Sequence, residues 1–212
     1  MTHIKICGIT NLADARYASG SGADYLGFIQ HPESPRYVEP SLARDIIEWI
    51  HGSEPVGVFV NTPPEEVSRI CDMAGFAWAQ LHGNETPADC AAVNRPVIKA
   101  VRVFPGTSPA EVELALAAYA DVVDRFLIDT GSSQAAGGTG EAFDWQILNG
   151  LDIPKPWFLA GGLRPENVSD ALERLDPFGV DVASGVEEAP GRKDFDAIDQ
   201  FVEAVRGSVA NR

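Results

Sequence analysis

The sequence predicts a single-domain (β/α)8 barrel over residues 1–212. Eight short runs rich in Val, Ile, Leu and Phe alternate with stretches of helical periodicity, the pattern of repeated βα units. No linker-like, low-complexity or strongly charged block interrupts the alternation, and 212 residues suit one large domain. A doubly wound open sheet is the structural competitor. It loses ground because no GxGxxG follows the first strand and no GxxxxGK(S/T) occurs anywhere.

The first unit joins HIKIC, a strand at about 3–7, to a helix at about 11–20. DYLGFI (24–29) leads to a helix over 40–51, and PVGVFV (55–60) to one over 63–74. Before the latter, NTPPEEV sets Thr62 ahead of prolines and glutamates, an N-cap sequence. AWAQLH (77–82) precedes a helix at 87–93, and PVIKAVRV (96–103) one at 109–120 that opens on TSPAEVELAL. DRFLID (124–129) is followed by a helix at 142–149. PWFLA (156–160) leads to one at 164–174, opening on LRPENVSDAL, and FGVDVA (178–183) to one at 194–206.

Composition narrows the function. A net charge of −15 argues against nucleic-acid binding. No apolar run approaches membrane-spanning length and MTHIKICGIT has no signal-peptide layout, so the expectation is a soluble, cytoplasmic protein. Cys7, Cys71 and Cys90 form no CxxC pair and no disulfide framework, which suits a reducing compartment. His3, His31, His51 and His82 make no HExxH or Cys/His cluster, so no metal site is expected.

Polar residues at strand ends carry the chemical signal, because a barrel strand is covered on both faces and an unpaired polar side chain there is destabilising. Lys5 and Cys7 are two apart and share one face, as do Gln80 and His82. Asp129 ends FLID and Asp181 lies within GVDVASG. Each has an ordinary alternative: a buried cysteine is a small hydrophobe, an aspartate caps a turn, a histidine before glycine is a loop residue. Together, at the same end of successive strands, they point to a site at one mouth of the barrel. LAGGLRPENV and DVASGVE add glycine-containing turns after strands seven and eight, where barrels bind phosphate through backbone N–H groups and a helix N-terminus. Gly161, Gly162, Ser184 and Gly185 are the expected contributors. Arg36, in PESPRYV, offers a guanidinium that can grip a carboxylate in two-pronged fashion. AAGGTGEAFDW (135–145) has Glu141 where a P-loop needs lysine and is read as a loop over the mouth.

KICGIT (5–10), SPRYV (34–38), VGVFVN (56–61), QLHG (80–83), GGTGEAFDW (137–145), LAGGLRPENV (159–168) and DVASGVE (181–187) together resemble the phosphoribosylanthranilate isomerase family of tryptophan biosynthesis. The blocks fall in seven of the eight βα units and in the family's order. The chain departs from the family's habit at Glu141 (often lysine), Ala183 (often serine), and Gln30 and His31 (often apolar or aromatic). The resemblance implies an Amadori rearrangement of the phosphosugar N-(5-phosphoribosyl)anthranilate to 1-(o-carboxyphenylamino)-1-deoxyribulose 5-phosphate. It also implies Cys7 as general base, Asp129 as general acid, and Arg36 on the anthranilate carboxylate. The turns at Gly162 and Gly185 would hold the phosphate, with His82 and Asp181 near the substrate. No cofactor is expected, and a monomer or homodimer.

Such chemistry needs a deprotonated thiol and a protonated carboxyl, each against its ordinary tendency at neutral pH. Lys5 is the expected source of a lowered Cys7, and desolvation the expected cause of a raised Asp129. Arg36 and a helix N-terminus near Gly185 are the expected local positive charges against the overall −15. Two rivals stand beside this reading. A histidine-pathway isomerase on the same scaffold is disfavoured by cysteine, rather than aspartate, on strand one. A barrel that only binds a partner is disfavoured by the intact Cys7, Asp129 and Arg36.

Overall fold

The computed structural model describes residues 1–104, 106–130 and 145–210. Eight parallel strands close into a barrel in sequence order: β1 (His3–Cys7), β2 (Tyr25–Ile29), β3 (Glu54–Phe59), β4 (Trp78–Leu81), β5 (Val97–Arg102), β6 (Arg125–Asp129), β7 (Trp157–Ala160) and β8 (Gly179–Val182). β1 pairs with β8 to complete the ring, with Lys5 opposite Asp181. All eight strands fall where alternation predicts them, within one residue at every end, because each is a covered apolar run with no competing period.

Alternation within each strand divides the core in two. One set of residues, including Tyr25, Val56, Ile98, Leu127 and Phe158, fills the barrel interior. The other set, with Ile4, Ile6, Leu26, Phe28, Phe126 and Ile128, packs outward against the helices. At the N-terminal end of the strands Arg125 plugs the interior, its guanidinium carbon 4.1 Å from the Trp78 ring centre and 4.4 Å from that of Phe178, with Nη1 donating to Tyr25 Oη at 2.6 Å. Chemistry is therefore left to the other end.

The helices are α1 (Leu12–Gly20), α2 (Pro40–Ile47), α3 (Pro64–Ala74), α4 (Pro87–Ala92), α5 (Pro109–Ala117), α6 (Pro165–Arg174) and α7 (Phe195–Ala210). Asn11 caps α1 by accepting from the Asp14 amide, and Ser108 and Glu111 form a reciprocal capping box on α5. Three expectations are corrected. α3 starts on Pro63 and Pro64 with no side-chain cap, so Thr62 is not its N-cap; the prolines satisfy the helix start without a hydroxyl. The described part of the predicted 142–149 helix is a 3-10 turn, Trp145–Leu148, which Gly150 ends in a left-handed conformation (φ 80°). After β8 the chain makes a 3-10 turn (Ser184–Val186), so no full helix N-terminus stands at Gly185. It then forms an unforeseen antiparallel hairpin, β9 (Glu187–Ala189) and β10 (Arg192–Lys193), before α7. Strands this short leave no periodic signal. The predicted mouth loop with Glu141 lies outside the described residues.

Candidate active site

The C-terminal mouth of the barrel holds a cavity of about 330 Å³, and Cys7, His82, Asp129, Asp181, Gly161, Gly162 and Ser184 all line it. Seven of the nine residues singled out from sequence thus meet at one place, brought there by β1, β4, β6, β7 and β8. Arg36 and Gly185 are not among the residues that line it.

Cys7 ends β1 opposite Gly27 of β2. A Cβ at residue 27 would lie 2.7 Å from Cys7 Sγ, so the glycine makes the space in which the thiol sits. Lys5, fully buried one pleat below, donates to Asp181 Oδ1 at 2.7 Å. Burial opposes its charge, but Asp181 and then Cys7 more than offset that, and the ammonium is held above its ordinary range. Lys5 does pull the Cys7 thiol down, but the expectation of a net lowering is corrected. Burial pushes the thiol up and the Asp181 carboxylate adds to it, outweighing the pull of Lys5 and Lys193. The Lys5 charge is already matched by Asp181, so Cys7 rests as a thiol.

His82 bridges two strands. Its Nε2 is 3.2 Å from Asp129 Oδ2, and its Nδ1 accepts from Gln80 Nε2 at 2.9 Å. The loop that carries it is tied from beneath by a buried pair on which sequence gave no hint. Lys99 Nζ donates to Leu81 O at 3.2 Å, Gly83 O at 2.8 Å and Glu85 Oε2 at 2.9 Å. Glu85 in turn accepts from the amides of Asn61 and Gly83. Burial opposes the Glu85 charge, but Lys99 and these amides hold the carboxyl below its ordinary range.

Arg36 is gripped by Glu187, its Nε 2.9 Å from Oε1 and its Nη2 2.6 Å from Oε2. Gly8 makes room for it: a Cβ there would lie 2.7 Å from Arg36 Cδ. Glu187 Oε1 also accepts from Lys193 Nζ at 2.9 Å, and that ammonium donates to Cys7 O at 2.6 Å and Ala183 O at 3.1 Å. The β9–β10 hairpin therefore fixes Arg36, the end of β1 and the turn after β8 at once. Neither Glu187 nor Lys193 was singled out from sequence, because both read as surface charges until the hairpin folds them inward.

On the far rim Gly161 and Gly162 adopt left-handed backbone (φ 99° and 67°), which turns the chain sharply after β7. Asn167 of α6 holds the Gly162 carbonyl with its Nδ2 at 3.0 Å and accepts from the Arg164 amide at 2.9 Å. A Cβ at Gly185 would meet Leu163 O at 2.0 Å, so only glycine lets the two turns touch. The amides of Gly162, Leu163, Ser184 and Gly185 donate to no acceptor among the described residues. They form a cluster of open N–H groups suited to an anion. Among the described residues, no three His, Cys, Asp or Glu side chains gather as a metal would require.

Residues 4–204 match the family model described as N-(5'-phosphoribosyl)anthranilate (PRA) isomerase. The chain belongs to that family. Its relatives include the N-(5'-phosphoribosyl)anthranilate isomerase of Rubrobacter xylanophilus, 44% identical over 210 residues that cover 97% of this chain and all of the relative. The Geobacter sulfurreducens isomerase is 44% identical over 98% of this chain and likewise matched over its whole length. Among solved structures, phosphoribosylanthranilate isomerase from Thermotoga maritima superposes with a TM-score of 0.89 at 41% identity, covering 98% of this chain and all of that one. A structure of the isomerase in complex with reduced 1-(o-carboxyphenylamino)-1-deoxyribulose 5-phosphate superposes with a TM-score of 0.85 at 40% identity over the same share of both chains. No described helix of this isomerase-family chain is long and apolar enough to cross a membrane.

Proposed function

We propose that this chain performs the family's reaction with Cys7 as general base and Asp129 as general acid. It is an isomerase of tryptophan biosynthesis that converts N-(5'-phosphoribosyl)anthranilate, an aminoaldose, to the aminoketose. The convergence of the Cys7 thiol and the His82–Asp129 pair on one cavity, with open backbone amides on its rim, carries the assignment of roles.

Asp129, protonated, donates to the furanose ring oxygen, and the ring opens to a Schiff base at carbon 1. That imine draws electrons from carbon 2 and acidifies its proton, which the Cys7 thiolate removes. The resulting enolamine tautomerises to the ketone. Nothing is oxidised or reduced overall, and each proton lent by one group is recovered by the other. Before the step the buried thiol gives its proton to solvent in the cavity it lines, and Lys5 and Lys193 stabilise the thiolate that results. Asp181 holds Lys5 in place and lines the cavity beside the substrate. The substrate phosphate lies against the amides of Gly161, Gly162, Ser184 and Gly185. Its anthranilate carboxylate faces Arg36, whose Nη1 group Glu187 leaves unengaged.

The enzyme works in the cytoplasm, a setting that suits its three free cysteines, as a monomer or homodimer. Turnover of freshly made phosphoribosylanthranilate, followed by loss of substrate fluorescence, tests the roles. Wild type should be active, and Cys7→Ala and Asp129→Asn should lose at least about a hundredfold in kcat with circular dichroism unchanged. An active Cys7→Ala would reduce the cysteine to a buried hydrophobe.

A further inference from the structure

Lys193 on β10 has none of its side chain exposed, and its ammonium carries three N–H groups and no lone pair. All three are used: Nζ donates to Cys7 O at 2.6 Å, to Ala183 O at 3.1 Å and to Glu187 Oε1 at 2.9 Å. The register of β1 against β8 ends with Ile6 opposite Val182. Cys7 and Ala183 are the next residues along, and Lys193 spans their carbonyls where that register stops. Ala183 O also accepts the Val186 amide at 3.4 Å, which closes the turn carrying Ser184 and Gly185. The other end of Lys193 is anchored too, since its backbone N–H donates at 3.0 Å to Oδ2 of the buried Asp14 on α1. A buried ammonium is costly and needs a reason. Glu187 does not supply it, because Arg36 already meets that carboxylate through two bonds. The two carbonyls do: one belongs to the residue that bears the thiol, the other to the turn of open amides.

We propose that Lys193 is a positioning residue that fixes the spacing between the turn that receives the substrate phosphate and the end of β1 that bears the base. The inference rests on the roles of that turn and of Cys7 proposed above. With both carbonyls held on one nitrogen, phosphate bound at the turn places carbon 2 of the sugar against the Cys7 sulfur. A shift of either carbonyl by about an ångström loses that alignment. Without the ammonium, two carbonyl oxygens face each other with no donor between them, and the turn moves away from β1.

Titration of the full-length protein with inorganic phosphate, followed by the amide resonances of Gly162, Ser184 and Gly185, reads the turn directly. Lys193→Met, similar in length with no donor, should bind phosphate at least about fivefold more weakly than wild type. It should also lower kcat on phosphoribosylanthranilate at least about tenfold. A role confined to the charge of the thiolate would lower kcat and leave phosphate binding alone. Arg36→Met removes a cation from the same cluster, leaves the same net charge and touches neither carbonyl. It should therefore bind phosphate within about twofold of wild type. Lys193→Gln, a neutral donor too short to reach both carbonyls, should fall between wild type and Lys193→Met, and it carries the test where Lys193→Met does not fold. Wild-type phosphate affinity or wild-type kcat in a folded Lys193 variant would overturn the inference. So would equal weakening by Arg36→Met, which marks a loss of charge rather than of spacing. Amides that do not shift in wild type would refute the phosphate placement itself, and the inference with it.

Discussion

As the proposed base, Cys7 faces opposite demands: the barrel wall buries it, and the proposed step needs its proton gone. Its value is pushed up by burial, so at neutral pH less of it is thiolate than in a free cysteine. Because thiolate is the nucleophile, alkylation by iodoacetamide should be slow at pH 7 and still climbing beyond pH 9. Mass spectrometry should locate the label at Cys7 and not at Cys71 or Cys90, which are buried away from the cavity and pushed up to about 12 and about 11. A product analogue in the cavity should protect Cys7. A rate that levels off below pH 8 would mean that Lys5 and Lys193 win over burial. Arg36 is the second residue with a clear signature. Arg36→Ala should raise KM at least about tenfold with a smaller change in kcat, since the carboxylate proposed to face it is remote from the reacting carbons. Arg36→Lys should recover little, because an ammonium cannot meet Glu187 through two parallel bonds. An unchanged KM in Arg36→Ala would separate Arg36 from the substrate and leave it as a partner for Glu187.

Two structural ties at the level of elements hold the site. The turn from β4 to α4 hangs on Lys99 and Glu85, each with 3% of its side chain exposed. Lys99→Met leaves Glu85 charged and buried, which costs about 3–5 kcal/mol. In a chain of this length that corresponds to a drop in Tm of roughly 6–20 °C, measurable by calorimetry. The pH dependence has a definite sign. Glu85 is held below its ordinary value of 4.5, so its stabilisation is present above that pH and is lost as pH falls through the lowered folded value. Wild type should therefore lose more stability on acidification below about pH 4.5 than Lys99→Met does. Equal slopes would deny the pair its role. The second tie, the β9–β10 hairpin, reaches the end of β1 through Lys193. It joins the turn after the last barrel strand to the end of the first strand, at Cys7.

At the scale of the whole molecule, the net charge of −15 meets a substrate that carries both a phosphate and a carboxylate. Of the two expected sources of local positive charge, the helix start near Gly185 is absent and Arg36 is paired with Glu187. Arg36 and Lys193 share the single Glu187 carboxylate, Lys5 is matched by Asp181, and the chain after β8 makes only a short turn. These pairs leave only one cation in excess against −15 overall, so the long-range field is repulsive. Added salt screens that field, so kcat/KM should rise about two- to threefold between roughly 10 and 150 mM monovalent salt. A steep fall over the same range, measured by progress curves at low substrate, would show attractive steering.

The sequence by itself determined the barrel, because eight covered strands of period two between capped helices leave one economical way to bury both faces. It also determined which end carries chemistry, since Lys5, Cys7, Gln80, His82, Asp129 and Asp181 are all polar residues where strands finish, and polarity in a covered strand needs a reason. Hydrogen-bond partners were another matter. That Lys5 answers to Asp181, that Glu187 holds both Arg36 and Lys193, and that Lys99 anchors the His82 loop depend on side chains far apart in sequence. The two-residue strand β10 is too short for any period to announce it. Only tertiary structure decided the protonation of Cys7. Burial raises it and charge lowers it, and which prevails depends on how much of the Lys5 charge Asp181 has already claimed across the closure of the barrel.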